Sequence, residues 1–219
     1  MTRGWFPHLT RGRKGIASAL TFALTAATVA IGVVVAPPAQ AAGPSIDLAA
    51  TGSSSILLGA PVDYTLTSTN PSSNPDAEPV YNTTFRVVLP VGVTYQAGTT
   101  TPTSYGNPTT FTDAFGAQTL VWSNVADLQV DSAVALSFKA TPSTESYPVA
   151  SSFTATADAF ASTDPRLIPK FDSNGLAIVA GNVVPDTGRT VTTQVSGPSS
   201  GAMSSAMPAT PGALRVRIT

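Results

Sequence analysis

The sequence predicts an all-β fold, an antiparallel β-sandwich. Three observations predict it. After the first 41 residues the apolar residues recur with the period of strands, and helical periodicity is absent. The strand-like stretches are short and separated by Gly, Pro and Asn turn signals. The polar faces are built from Thr, Ser and Asn instead of charge: the 219 residues are 42% hydrophobic but only 11% charged. Thr suits this role because its branched Cβ fits a pleated surface.

Residues 1–41 are of another kind. Arg3, Arg11, Arg13 and Lys14 open them, Ile16 to Ala36 carries no charge, and the small-residue motif Ala39-Gln40-Ala41 follows Pro37 and Pro38. This is the order of a helical secretory signal peptide with cleavage after Ala41. An uncleaved segment would be the chain's one route into a membrane. Arg11 and Arg13 are split by Gly12, so no adjacent pair marks twin-arginine export. Without those four cations, seven Lys and Arg remain against the 12 acids, a net charge of −5. A chain this acidic, with scattered cations, lacks the basic patch that nucleic acid or an anionic membrane surface needs. With no cysteine there are no disulfides or thiolate metal sites, so an exported chain must rely on a hydrophobic core.

The strands follow in order. Val62 to Thr69 alternates Val62, Tyr64 and Leu66 with Asp63, Thr65 and Thr67, and Asn70-Pro71 ends it. Tyr81 to Leu89 puts Tyr81, Thr83, Phe85, Val87 and Leu89 on one face. It then breaks at Pro90, which cannot donate a ladder hydrogen bond, and Gly92. That break predicts a strand end or edge bulge where the chain crosses the sandwich. Gln118 to Asn124 sets Leu120 and Trp122 on one side, and Ala133 to Ala140 groups Val134, Leu136 and Phe138 opposite Lys139. Ser151 to Ala159 alternates around Phe153.

Gly59, Tyr64, Thr65, Asn70, Leu89, Pro90, Gly92, Tyr95, Trp122, Leu128, Leu136, Phe138 and Ala157 occur in an order that resembles the bacterial surface repeat called domain of unknown function eleven. The resemblance covers about residues 45–160. Two positions depart from the family pattern: Val87-Val88 stand where an acidic residue usually precedes Leu-Pro, and Val130-Asp131 replace a Gly after Leu128. The resemblance implies an immunoglobulin-like sandwich on bacterial envelopes, often in tandem arrays, with no catalytic residues.

The organisation expected is a signal peptide over 1–41 and a sandwich over 42–160. Residues 161–196 follow as additional strands or the start of a second β-domain, and 197–219 as a flexible tail of linker composition. In 161–196, LAIVAGNVV and TVTTQV read as strand pieces, with turn signals at Asn174-Gly175 and Thr187-Gly188.

The candidate sites are few. His8, the one histidine, lies in the signal segment, which removes His-based nucleophile triads and the usual zinc sites from the rest of the chain. The acids are scattered singly, so no catalytic, cofactor-binding or metal-ligating residue is assigned and no enzyme is expected. Asn74, Asp76 and Glu78 in one loop, and Asp172-Ser173-Asn174-Gly175, offer too few oxygens for calcium and read as turn chemistry. Val184-Pro185-Asp186-Thr187-Gly188 resembles a sortase signal but lacks the apolar span after it, so a strand end and turn is the better reading. Lys139 reads as a solvated amine in preference to a cross-link to Asn124 or Asn82. Tyr105 in SYGNP is the best candidate for an exposed aromatic platform, though a turn aromatic covering the sandwich edge is the better reading.

The function this predicts is an exported, non-catalytic structural or adhesion module of a bacterial cell envelope, presenting the loops Asn70–Pro79 and Ala97–Asn107. Its partner would be a cell-wall or host-surface protein or glycan. The alternatives are a secreted carbohydrate- or protein-binding module accessory to another protein, and a fragment of a longer surface protein.

Overall fold

The computed structural model describes residues 43–74 and 76–197; the signal segment and nearly all of the tail lie outside the described residues. Twelve strands are present among the described residues: β1 (Asp47–Gly52), β2 (Ser55–Leu57), β3 (Val62–Thr69), β4 (Val80–Leu89), β5 (Val93–Tyr95), β6 (Thr109–Thr112), β7 (Gln118–Leu128), β8 (Ala133–Pro142), β9 (Ser152–Ser162), β10 (Lys170–Phe171), β11 (Ala177–Ile178) and β12 (Val183–Ser196). The described residues contain no α-helix, only a 3-10 turn at Thr103–Tyr105.

The strands form two main sheets, ordered β1-β3-β8-β5 and β2-β12-β9-β4-β7-β6. The smaller sheet has the A-B-E-D order of an immunoglobulin sandwich. In the larger one, β12-β9-β4 is the facing G-F-C set, and the β7–β6 pair widens it beyond β4. Strand β2 lies parallel to β12, with Val195 opposite Ile56; β1 stays in the other sheet, so the first edge of the chain is shared between both sheets. The fold is therefore an immunoglobulin-like antiparallel β-sandwich. The sandwich does not stop at residue 160: β12 pairs along almost the whole of β9, and Val184, Val191 and Val195 join the same core.

Period-two alternation buries one side of each strand. Val62, Tyr64 and Leu66 from β3 and Leu136 and Phe138 from β8 face Phe85, Leu120 and Trp122 across the gap. At its centre Phe138 stacks on Tyr64 at 5.0 Å and meets Trp122 at 4.9 Å, while Tyr95 contacts Trp122 edge-on at 6.0 Å. The facing positions of β9 are Ala155, Ala157, Ala159 and Ala161, small residues that leave room for these rings.

The crossing at Leu89-Pro90-Val91-Gly92 takes the chain from β4 in the larger sheet to β5 in the smaller one. Val93 N–H donates to Pro90 C=O at 3.0 Å and closes the turn. Gly92 sits at φ +83°, and a Cβ there would lie 2.6 Å from Ser146 Oγ, so no larger residue fits without displacement.

Candidate functional site

The outward side of the larger sheet is the least ordinary surface of the molecule. Along β9 the outward residues begin exposed at Ser152 and Thr154, yet Asp158, Phe160 and Ser162 are buried. The cause is residues 163–182, which leave β9 and cross the sheet as a strap before returning into β12. Asn82 anchors its start: its Nδ2 donates to Pro165 C=O at 3.1 Å and Leu167 C=O at 2.9 Å. Asn82 can turn there because it stands at a bulge in β4 with φ 56°. Phe171 packs edge-on against Phe160 at 5.5 Å, and the strap's tip at Gly175 rests on Thr119 and Phe111.

Between strap and sheet runs an open groove of about 680 Å³. Val88, Phe160, Leu176 and Val179 give it apolar walls, and Arg86, Thr156 and Asp158 a polar floor. Arg86 Nη1 donates to Asp158 Oδ2 at 2.8 Å, with side chains only 17% and 6% exposed. Gly188 N–H donates to the other carboxylate oxygen at 2.8 Å, while Arg86 Nε is buried without a partner. An ion pair held this way fixes β4, β9 and β12 relative to one another and leaves the groove floor neutral. What the groove offers chemically is an amphipathic contact surface; one buried, paired carboxylate supplies no acid–base couple.

A second, smaller pocket of about 210 Å³ opens at Gly98, Thr100, Thr103, Gly106 and Asn107. Buried Thr100 accepts from Trp122 Nε1 at 3.2 Å and shares a 2.8 Å hydrogen bond with the Tyr95 hydroxyl, which donates to Asn107 Oδ1 at 2.9 Å. Ala97–Asn107 is therefore not a free loop. Thr101 pairs with Ser137 of β8, and the segment closes the open side of the sandwich. Tyr105 is half-buried against the core and forms no exposed platform.

The other residues singled out in the sequence are spread over the molecule and used by the fold. Asn74 donates to Gly43 C=O and Ser45 Oγ, tying down the N-terminal strand. The Asp172 carboxylate accepts the N–H groups of Asn174 at 2.8 Å and Leu176 at 2.9 Å, and these bonds hold it below the usual carboxylate range. Asp131 is lowered in the same way by its hydrogen bonds with Ser72. Val184-Pro185-Asp186 lies inside β12, opposite Ala161, Phe160 and Ala159, and Asp186 Oδ2 accepts from Leu48 N–H at 2.7 Å. The strand does not end at Thr187-Gly188 as the sequence suggested; it continues through a bulge there, with Gly188 at φ +80°. Lys139 is an exposed amine paired with Asp63, its neighbour across β3 and β8, while Asn82 serves the strap. The groove itself was missed in the sequence. Its one signal was the outward set Asn82, Thr84, Arg86 and Val88 on β4, too apolar at Val88 for a strand face open to water.

No protein-family model and no curated protein matches the chain. Similar solved structures include AvmM, which catalyses macrocyclization in alchivemycin A biosynthesis (14% identity, 72% of this chain and 93% of that one, TM-score 0.41). A protein from Corynebacterium diphtheriae described as membrane anchored is similar at 11% identity, over 71% of this chain and 38% of that one, TM-score 0.40. The collagen-binding subdomain of the Enterococcus faecalis surface protein ACE is similar at 8% identity, over 67% and 95%, TM-score 0.36. At these values the likenesses carry no argument about ligand or chemistry, and the fold rests on the strand order described above.

Proposed function

We propose that this chain is an exported, non-catalytic module of a bacterial cell envelope, structural or adhesive, and a member of the surface-repeat family that its Leu-Pro-x-Gly and Trp strands resemble. One observation carries the reading: the side chains best suited to chemistry are spent on the fold. Asp158 holds Arg86 and Gly188, Asp172 caps its own turn, Asp186 holds Leu48, and Tyr95 and Trp122 converge on Thr100. Rigid scaffold with spare loop surface is what a display or contact module requires. The signal-like segment over 1–41 supplies the export, and a cell-wall or host-surface protein or glycan the partner. Fractionation of the producing cell, with mass spectrometry of the mature termini, tests it. The expected result is a chain beginning at Ala42 in the envelope or medium; an intact chain in the cytoplasm would sink the proposal.

A second reading, a secreted carbohydrate-binding module, is favoured by the hydroxyl- and amide-lined pocket at Thr100 and Asn107. A glycan array separates the two. Binding that Asn107→Ala abolishes would favour the second reading, and a silent array with retention on host-matrix proteins the first.

A further inference from the structure

The strap ends in a hairpin, β10–β11, whose side chains alternate between two faces. The inner one, with Pro169, Phe171 and Ala177, packs toward the sheet. The outer face carries Ile168, Lys170 and Ile178, with Lys170 directly opposite Ile178, and Leu176, which also lines the groove, stands at its edge. Ile168 is 45% exposed, Leu176 55% and Ile178 56%, and exposed Leu167 and Val179 flank them. Half of the exposed large hydrophobic residues among the described ones thus fall on this hairpin and its flanks. Elsewhere the chain meets water with Thr, as at Thr154, Thr190 and Thr192. An aliphatic outer face departs from the Thr-rich outward faces of the long strands, and clustered exposure of this kind marks a contact surface.

Charge identifies the partner. Three of the five cations among the described residues (Arg86, Arg166 and Lys170) lie on the strap or the groove beside it. They are matched there by Asp158, Asp164 and Asp172. The rest of the described chain has Lys139 and Arg189 against nine acids. Outside the strap and groove the described surface is net negative as a whole. On this side two copies bring neutral, aliphatic surfaces together. Asp172 caps its turn through Oδ1 alone, so its Oδ2 and Lys170, two residues away, can pair reciprocally across a two-fold axis. Self-complementarity is what an isologous contact requires.

We propose that the outer face of the β10–β11 hairpin is a contact between two copies of this chain, related by a two-fold axis and centred on Leu176 and Ile178. The contact does not depend on the envelope reading: a monomer found on the envelope would overturn this proposal alone, and a dimer retained in the cytoplasm would overturn only the other.

Sedimentation velocity across a concentration series tests it with the purified chain. The expected result is a concentration-dependent dimer that Leu176→Glu with Ile178→Glu weakens at least tenfold while the melting temperature holds. Should that pair of changes disturb folding, the exposed Lys170→Glu is expected to weaken the dimer as well. Because the chain has no cysteine, Ile178→Cys adds a single thiol. It should give a disulfide-linked dimer under mild oxidation, whereas Val149→Cys, exposed on a different loop, should not. A chain monomeric at every concentration would overturn the proposal. So would a dimer indifferent to both Glu variants, or a monomer whose hairpin binds anionic lipid vesicles instead.

Discussion

Single residues explain why the sandwich closes where it does. Asn70 is fully buried at the end of β3, and its Nδ2 donates to Glu78 C=O at 2.8 Å and Leu128 C=O at 3.2 Å, joining the loop after β3 to β7. Asn70→Ala leaves the buried Leu128 carbonyl and the less buried Glu78 carbonyl short of a donor and is expected to cost about 1–3 kcal/mol in a denaturant melt. The Arg86–Asp158 pair makes a sharper case. Asp158→Ala strands a guanidinium in a nearly buried place, a loss of ~3–5 kcal/mol, whereas replacing both by Met and Leu should restore most of it. A double-mutant cycle checks the difference. At Asp172 the folded-state carboxyl is lowered, so its contribution is complete above the ordinary carboxylate range and is lost as the pH falls through its folded value. Asp172→Asn should therefore lower stability at neutral pH, and the gap to the parent chain should close as the pH falls through the folded value, which a pH series of denaturant melts reads. Residues like these were visible in the sequence only as types. Asn70 could be read as a strand terminator, but its two carbonyl partners lie in segments 8 and 58 residues away and no local pattern reports them.

At the scale of elements, strands that alternate cleanly were legible and those that do not were only partly so. β3 runs from Val62 to Thr69 as its pattern demanded, because one side meets the core and the other water. β7 runs four residues past Asn124, to Leu128, because Asn124 at φ 53° marks an irregularity in the pairing with β4 and not the strand's end. The strap was the least legible element. LAIVAGNVV read as one strand piece, yet it supplies β11, a turn at Ala180 to Asn182 and the start of β12, since its apolar residues face in two directions. The strap's hold on the sheet rests mainly on Asn82 and Phe171. Its amides at Asp172 and Leu176 should exchange with solvent faster than those of β9, and Asn82→Ala should speed them further without moving β9. Hydrogen-exchange mass spectrometry reads both.

For the whole molecule, one core joins both sheets, from Ile46 near the N-terminal end of the described chain to Val195 near its C-terminal end. Leu136, fully buried in β8, touches this core at its middle, so Leu136→Ala should lower stability by about 2–5 kcal/mol and shift a single cooperative transition. A transition that splits in two would contradict the one-core description. The sandwich class was legible because burial on one side imposes period two on any sequence that folds this way; the pairing of β2 with β12 was not, since it joins residues about 140 apart. That pairing has a mechanical consequence. β2 and β12 run in the same direction, so tension applied at residues 43 and 197 pulls them past each other along their length. Their hydrogen bonds are then loaded together in shear rather than opened one at a time, which gives a patch of only three residue pairs the position of a mechanical latch.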